Sequence, residues 1–308
     1  SYDKNGNIQT FWRKGMTAQN GTTPTGFDYV DQMQYFYSGN TLNGITDAVN
    51  GNLDVSDFRD NGSNSDYTYY PDGSLKSDGN RNISLIEWDT FLKKLKQITY
   101  VNGDWIKHFY DGSGRRFKTT DSEGTVWEYV DDVVYKDGEF YQINDDEGRI
   151  LYENGNYAYE FNYKDHLGNI RVSFKAVGNQ LIETQENAYY PFGLAHTGTD
   201  FTLGANENNF QYNGKEKINS FGLNYSDYGF RTYDLLINRF ISVDPLAESF
   251  AHNGVYNYAE NAPIMNVDLD GLEKLKSISP DGKPEFNTAL DRSSRQLLNP
   301  LTAQGVKD

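Results

Sequence analysis

Residues 110–116 read YDGSGRR: a tyrosine ending one strand, an aspartate, glycines, and polar residues leading into the next. Aspartate bonds its own downstream backbone, and glycine takes the positive-φ position that a tight hairpin turn demands. The signature recurs at 2–8 (YDKNGNI), 70–75 (YPDGSL), 144–150 (NDDEGRI) and 163–170 (YKDHLGNI). Between such turns, residues 157–161 (YAYEF) and 171–175 (RVSFK) alternate as two-faced strands do. The spacing is irregular, so the reading is a degenerate hairpin array rather than a strict solenoid.

Composition agrees. The 308 residues include 24 Tyr, 18 Phe and 29 Gly, with only 37% hydrophobic residues, so aromatic rings must supply much of the buried area. Tyrosine does this well in strands, packing its ring while its hydroxyl reaches a polar partner. The expected fold class is mainly β. Residues 83–100 (ISLIEWDTFLKKLKQITY) compete as an amphipathic helix, but alternation at 86–89 and 97–101 favours strand, turn, strand. An Asn/Gly/Ser-rich region over 39–65 reads as an insertion loop or small lid.

The formal charge of −16 argues against nucleic acid or an anionic membrane as partner of the β-rich part. No apolar run is long enough to span a bilayer. With no cysteine, disulfides, zinc–cysteine sites and a thiol nucleophile are excluded. His108, His166, His196 and His252 lack ligand spacing, so no metal is expected. Asp3, Asn5 and Asn7 have the opening spacing of a calcium loop, but its twelfth position is Lys14, which favours a plain turn. No phosphate loop or serine-nucleophile elbow is present, and no cofactor is called for.

The repeated Tyr-Asp-x-x-Gly turns resemble the YD repeats of the bacterial Rhs family. A C-terminal series is more specific: 189–193 (YYPFG), 212–216 (YNGKE), 222–225 (GLNY), 228–234 (YGFRTYD) and 238–246 (NRFISVDPL). Together with 240–273 (FISVDPLAESFAHNGVYNYAENAPIMNVDLDGLE) it resembles the Rhs repeat-associated core domain almost end to end. That resemblance implies hairpins wound into a spiral, TcC-like cocoon, closed by a core-domain plug. It divides the chain into a YD-repeat shell segment (1–184), the core domain (185–272) and the start of a variable C-terminal region or connector (273–308). Within that last part, 289–298 (ALDRSSRQLL) is a candidate short helix.

The function implied is a shell that houses and releases a C-terminal toxin used in bacterial competition. Its partners would be its own toxin segment, a secretion or delivery machinery and a cognate immunity protein. Such a protein would be secreted or on the cell surface. Members often cut themselves after a final Asp-Pro-x-Gly-Leu motif, which here is the Leu272–Glu273 bond. The alternatives are a non-cleaving YD-repeat surface protein for adhesion, binding carbohydrate or protein, and, more remotely, a carbohydrate-active enzyme.

The chemistry can be argued from the residues. Two carboxylates held close cannot both ionise cheaply, so they share a proton and can activate water without metal or thiol. Asp244 and Asp268, in matching Val-Asp turns, are the candidates. The family resemblance makes Arg231 the active-site arginine, with Arg239 second. On spacing alone, aspartate before proline or glycine is a turn-former, and either arginine is a structural ion-pair partner. The chain departs from the family pattern at Leu235 and Leu269, where proline is usual, and at Asn238, where glycine is usual. Leucine at 269 frees φ at the turn and restores a backbone N–H.

Overall fold

The computed structural model describes residues 1–20, 23–49, 58–60, 66–153, 155–196, 201–202, 207–249, 253–272 and 274–276. Thr10–Asn20, Thr23–Ser38 and Thr41–Asp47 form an antiparallel sheet in chain order. A second sheet of fourteen strands runs from Tyr67–Tyr69 to Phe201–Thr202, again in unbroken chain order. Every neighbour pair is antiparallel and consecutive, and short connections join the strands as far as Gln180–Glu186. Among the described residues the sheets are not closed.

Aspartate turns account for several of the tight connections. Asp111 accepts from Ser113 N (2.9 Å) and Arg115 N (3.0 Å) through one oxygen, and Gly114 sits at φ +82°. Asp3 bonds Asn5 N and Asn7 N in the same way, so its carboxylate is committed to the turn. Asp121 and Asp165 repeat the pattern. Residues 144–150 differ from the reading: Gly148 begins the strand Gly148–Glu153 and pairs with Phe161. A Cβ there would lie 1.9 Å from the Glu160 carbonyl oxygen, so this glycine serves close backbone approach.

Residues 83–100 form strands Ile83–Trp88 and Leu95–Tyr100, as the alternation indicated. The loop expected over 39–65 is corrected in its first part. Thr41–Asp47 is a strand paired with Thr23–Ser38, because Leu42 and Ile45 carry apolar side chains into the core. Residues 50–57 and 61–65 of that stretch lie outside the described residues, as does the 289–298 helix.

Leu75, Ile83, Ile86, Leu95, Ile98 and Ile106 line one face of the meander's first half. The C-terminal block packs on them through Tyr225, Tyr233, Phe240, Ile241 and Tyr258, all in one buried cluster. Each such side chain contributes about 1.5–3 kcal/mol on burial. Inside the block, Glu216–Ile218, Tyr225–Asp227, Thr232–Asp234 and Arg239–Phe240 make a four-stranded antiparallel sheet.

Polar links fix the block to the meander. Arg81 bridges Asp78 and Asp234, Ile241 O accepts from Leu75 N (2.9 Å), and Tyr256 donates to Gly73 O (2.6 Å). Further along, Glu216 is held by Arg116 and by the Tyr129 hydroxyl (2.7 Å).

Candidate functional site: two carboxylates on one guanidinium

Asp268 ends the short strand Asn266–Asp268. Its Oδ1 accepts from the N–H groups of Gly271 (2.6 Å) and Leu272 (3.1 Å). Gly271 lies at φ +80°, so the segment obeys the same aspartate–glycine grammar as the meander's turns. A Cβ on Gly271 would also come within 2.9 Å of Arg231 N, which packs the turn directly onto the block.

Arg231 precedes the strand Thr232–Asp234 and follows a turn in which Gly229 N donates to Asp227 (2.8 Å). Phe230 N then donates to Asp270 O (3.0 Å), tying this turn to the one after Asp268. The guanidinium is buried and used on every side. Nη2 lies 2.9 Å from Asp244 Oδ2 and 3.2 Å from Asp268 Oδ2. Nε donates to Gly271 O, Nη1 reaches Val255 O at 3.4 Å, and the guanidinium carbon stacks 3.7 Å from the centre of the Phe240 ring.

Asp244 lies in the turn that follows the strand Arg239–Phe240. Its Oδ1 caps its own turn by accepting from Leu246 N (2.8 Å), and its backbone N–H donates to Val255 O (2.9 Å). The two carboxylates, 24 positions apart in sequence, therefore converge on one nitrogen.

Two buried carboxylates around one cation leave a site that favours holding a proton. Burial pushes Asp268 up to about 6, with Arg231 pulling the other way and the Asp244 charge adding to the rise. Asp244 is also raised, by burial, against the pull of Arg231. Such a pair can present one acid and one base together.

The structure thus brings together Arg231, Asp244, Asp268 and Leu272. Arg239 is elsewhere: it lies over Tyr256 (4.5 Å) and Tyr37 (5.3 Å) and donates to Asn40 O (3.0 Å). Glu273 lies outside the described residues. Sequence reasoning missed Phe240 as the platform for Arg231. A signal was present: Tyr233 pairs with Phe240, and Arg231, two positions before Tyr233, falls on the same face. It also missed Lys215, 3.7 Å from Asp270. Both line a cavity of about 550 Å³ between the block and the meander, together with Arg116, Tyr129 and Asn162.

Over 88% of its length the chain superposes on a crystal structure of TcdB2-TccC3, with TM-score 0.59 and 18% identity. Over 93% it superposes on a Photorhabdus luminescens Tc holotoxin pore, with TM-score 0.55 and 18% identity. The chain shares their fold. It corresponds to 16% of each of those chains. In sequence, 176 residues are 30% identical to the tRNA3(Ser)-specific nuclease WapA of Bacillus spizizenii, covering 56% of this chain and 7% of that protein. No family model matches.

Proposed function

We propose that this chain is the C-terminal portion of an exported Rhs-type shell that houses a C-terminal toxin. In this reading residues 1–184 are shell, 185–272 the core-domain plug, and 273–308 the start of the cargo or a connector. Arg231, Asp244 and Asp268 cut the chain after Leu272. The observation that carries the proposal is the convergence of both carboxylates on Arg231, while Asp268 grips the N–H groups of Gly271 and Leu272. The likeness in fold to Tc toxin components and the sequence match to a nuclease support the wider setting. The partners follow: the chain's own toxin segment, a delivery machinery and a cognate immunity protein.

The reaction needs no metal. The ionised carboxylate takes a proton from water as its oxygen adds to the Leu272 carbonyl. The protonated one supplies the proton with which the Glu273 amine leaves as the C–N bond breaks. Intact-mass measurement of the purified chain is the test. A wild-type break after Leu272, lost in Asp244→Asn and Asp268→Asn, is the expected result; a folded wild-type chain that stays whole overturns the cut.

One observation favours a second reading, a non-cleaving YD-repeat surface protein that binds carbohydrate or protein. Asp268 Oδ1 is taken by two turn N–H groups and Oδ2 by Arg231, which is what a purely structural turn requires. An uncut chain that binds on a glycan array would select it.

A further inference from the structure

Beyond the proposed cut, residues 274–276 stay paired to the C-terminal block. Lys274–Lys276 forms a strand that pairs antiparallel with Asn266–Asp268, with Asp268 opposite Lys274, Val267 opposite Leu275 and Asn266 opposite Lys276. The strand that carries Asp268 is therefore also the partner of the segment downstream of Leu272. This template is anchored. Asn266 N donates to Ala262 O (3.0 Å), the Asn266 side chain donates to Ala259 O (3.3 Å), and Asn266 and Asp268 are buried.

We propose that the site recognises its substrate by strand addition. Backbone pairing of Lys274–Lys276 with the Asp268 strand, rather than side-chain pockets downstream of the cut, fixes which bond is presented. Main-chain ladders read conformation and register and tolerate varied side chains, which suits a junction beyond which the sequence changes character. The pairing also pins both ends of the intervening segment: Asp268 and Lys274 are opposite each other, and Gly271 and Leu272 are tied to Asp268 Oδ1. Positioning of this kind lowers a barrier by fixing the reacting groups in advance.

The pairing is short, and a two-stranded ribbon alone is marginal in water. While the chain is continuous, the closure is intramolecular and the effective concentration is high. Once the bond breaks, three paired residues must hold a separate fragment. Cutting therefore unlocks the clamp that presented the bond.

The clamp rests on the proposed cut, and its test separates the two. In the uncut Asp244→Asn chain, hydrogen–deuterium exchange is expected to show slowed amides within 274–276 and fast exchange there in the cut wild type. Amides at 274–276 that exchange at the free-peptide rate in the uncut chain overturn the clamp. Leu275→Pro and Lys276→Pro each remove one N–H, on opposite edges of the strand, so at least one breaks the ladder. At least one is expected to slow cleavage ten-fold or more, while Leu275→Ala and Lys276→Ala stay within two-fold at unchanged melting temperature. If both proline variants cut at the wild-type rate, the pairing does not select the bond. A wild-type chain that never cuts removes the proposed cut, and the exchange measurement then decides the clamp alone.

Discussion

Arg81, on the meander, holds Asp234, in the C-terminal block, through two hydrogen bonds of 2.8 and 2.5 Å across 153 residues of sequence. Asp234 is fully buried, and the same guanidinium also takes Asp78 at 2.5 Å. Removing the arginine leaves uncompensated buried charge, which costs about 3–5 kcal/mol. Arg81→Met, which strands two carboxylates, should therefore lower stability by at least that order, read by chemical denaturation. Asp234→Ala leaves Arg81 paired with Asp78 but strips the acceptor from Leu236 N and Ile237 N, and should cost less, about 1–3 kcal/mol. If both variants unfold at the wild-type denaturant midpoint, the block is not fastened to the meander through this pair.

Two glycines test two kinds of turn logic. Gly168 sits at φ +78° with nothing within 4 Å of where a Cβ would be, so Gly168→Ala incurs only the left-handed backbone penalty, about 1–2 kcal/mol. Gly148 has an ordinary backbone, but its Cβ would collide with the Glu160 carbonyl. Gly148→Ala must push two paired strands apart and should cost about 3 kcal/mol or more. Thermal unfolding of the two variants side by side checks the order; equal shifts would sink it.

The acid pair predicts a pH signature. Asp268 is raised from the ordinary carboxylate value to about 6, so the fold binds a proton between about pH 4 and 6 that the unfolded chain has already released. Stability should therefore fall as pH rises through that window. Asp268→Asn keeps an acceptor for Gly271 N and Leu272 N and removes the titration. Its melting temperature should be flatter between pH 4 and 6 than that of the wild type. The cleavage rate of the wild type should decline as pH rises through about 6, where the shared proton is lost.

How much of this was legible follows from the range of each interaction. The hairpin array could be read because an Asp-x-x-Gly turn is local: Asp111 bonds residues two and four positions ahead. The strand Thr41–Asp47 was missed because Asn, Gly and Thr at its flanks mask the two apolar residues, Leu42 and Ile45, that seat it. Gly148 was misread because its reason lies in the neighbouring strand, at Glu160. At the site, the paired Val-Asp turns singled out Asp244 and Asp268, but spacing alone made them turn-formers and only the family resemblance made them candidates for catalysis. Choosing Arg231 over Arg239 needed the family pattern, since both are buried arginines flanked by aromatic residues. The structure separates them by partner: Arg231 meets two carboxylates, Arg239 a backbone carbonyl and two tyrosine rings.

Arg231→Lys tests that separation most sharply. Arginine presents its donors in a planar fork and stacks on Phe240; lysine is a point charge on a flexible stem. An ammonium at 231 can neutralise one carboxylate but cannot also reach Gly271 O, Val255 O and the Phe240 face. The turn after Asp268 should loosen, the protein should lose about 3 kcal/mol or more, and any cut after Leu272 should disappear. Arg239→Lys leaves both carboxylates on Arg231, so its cleavage rate should match the wild type even if its melting temperature falls. Intact-mass time courses on both variants, beside their melting curves, decide the matter. A cleaving Arg231→Lys chain would remove the guanidinium from the mechanism, and a non-cleaving but folded Arg239→Lys chain would restore Arg239 to it.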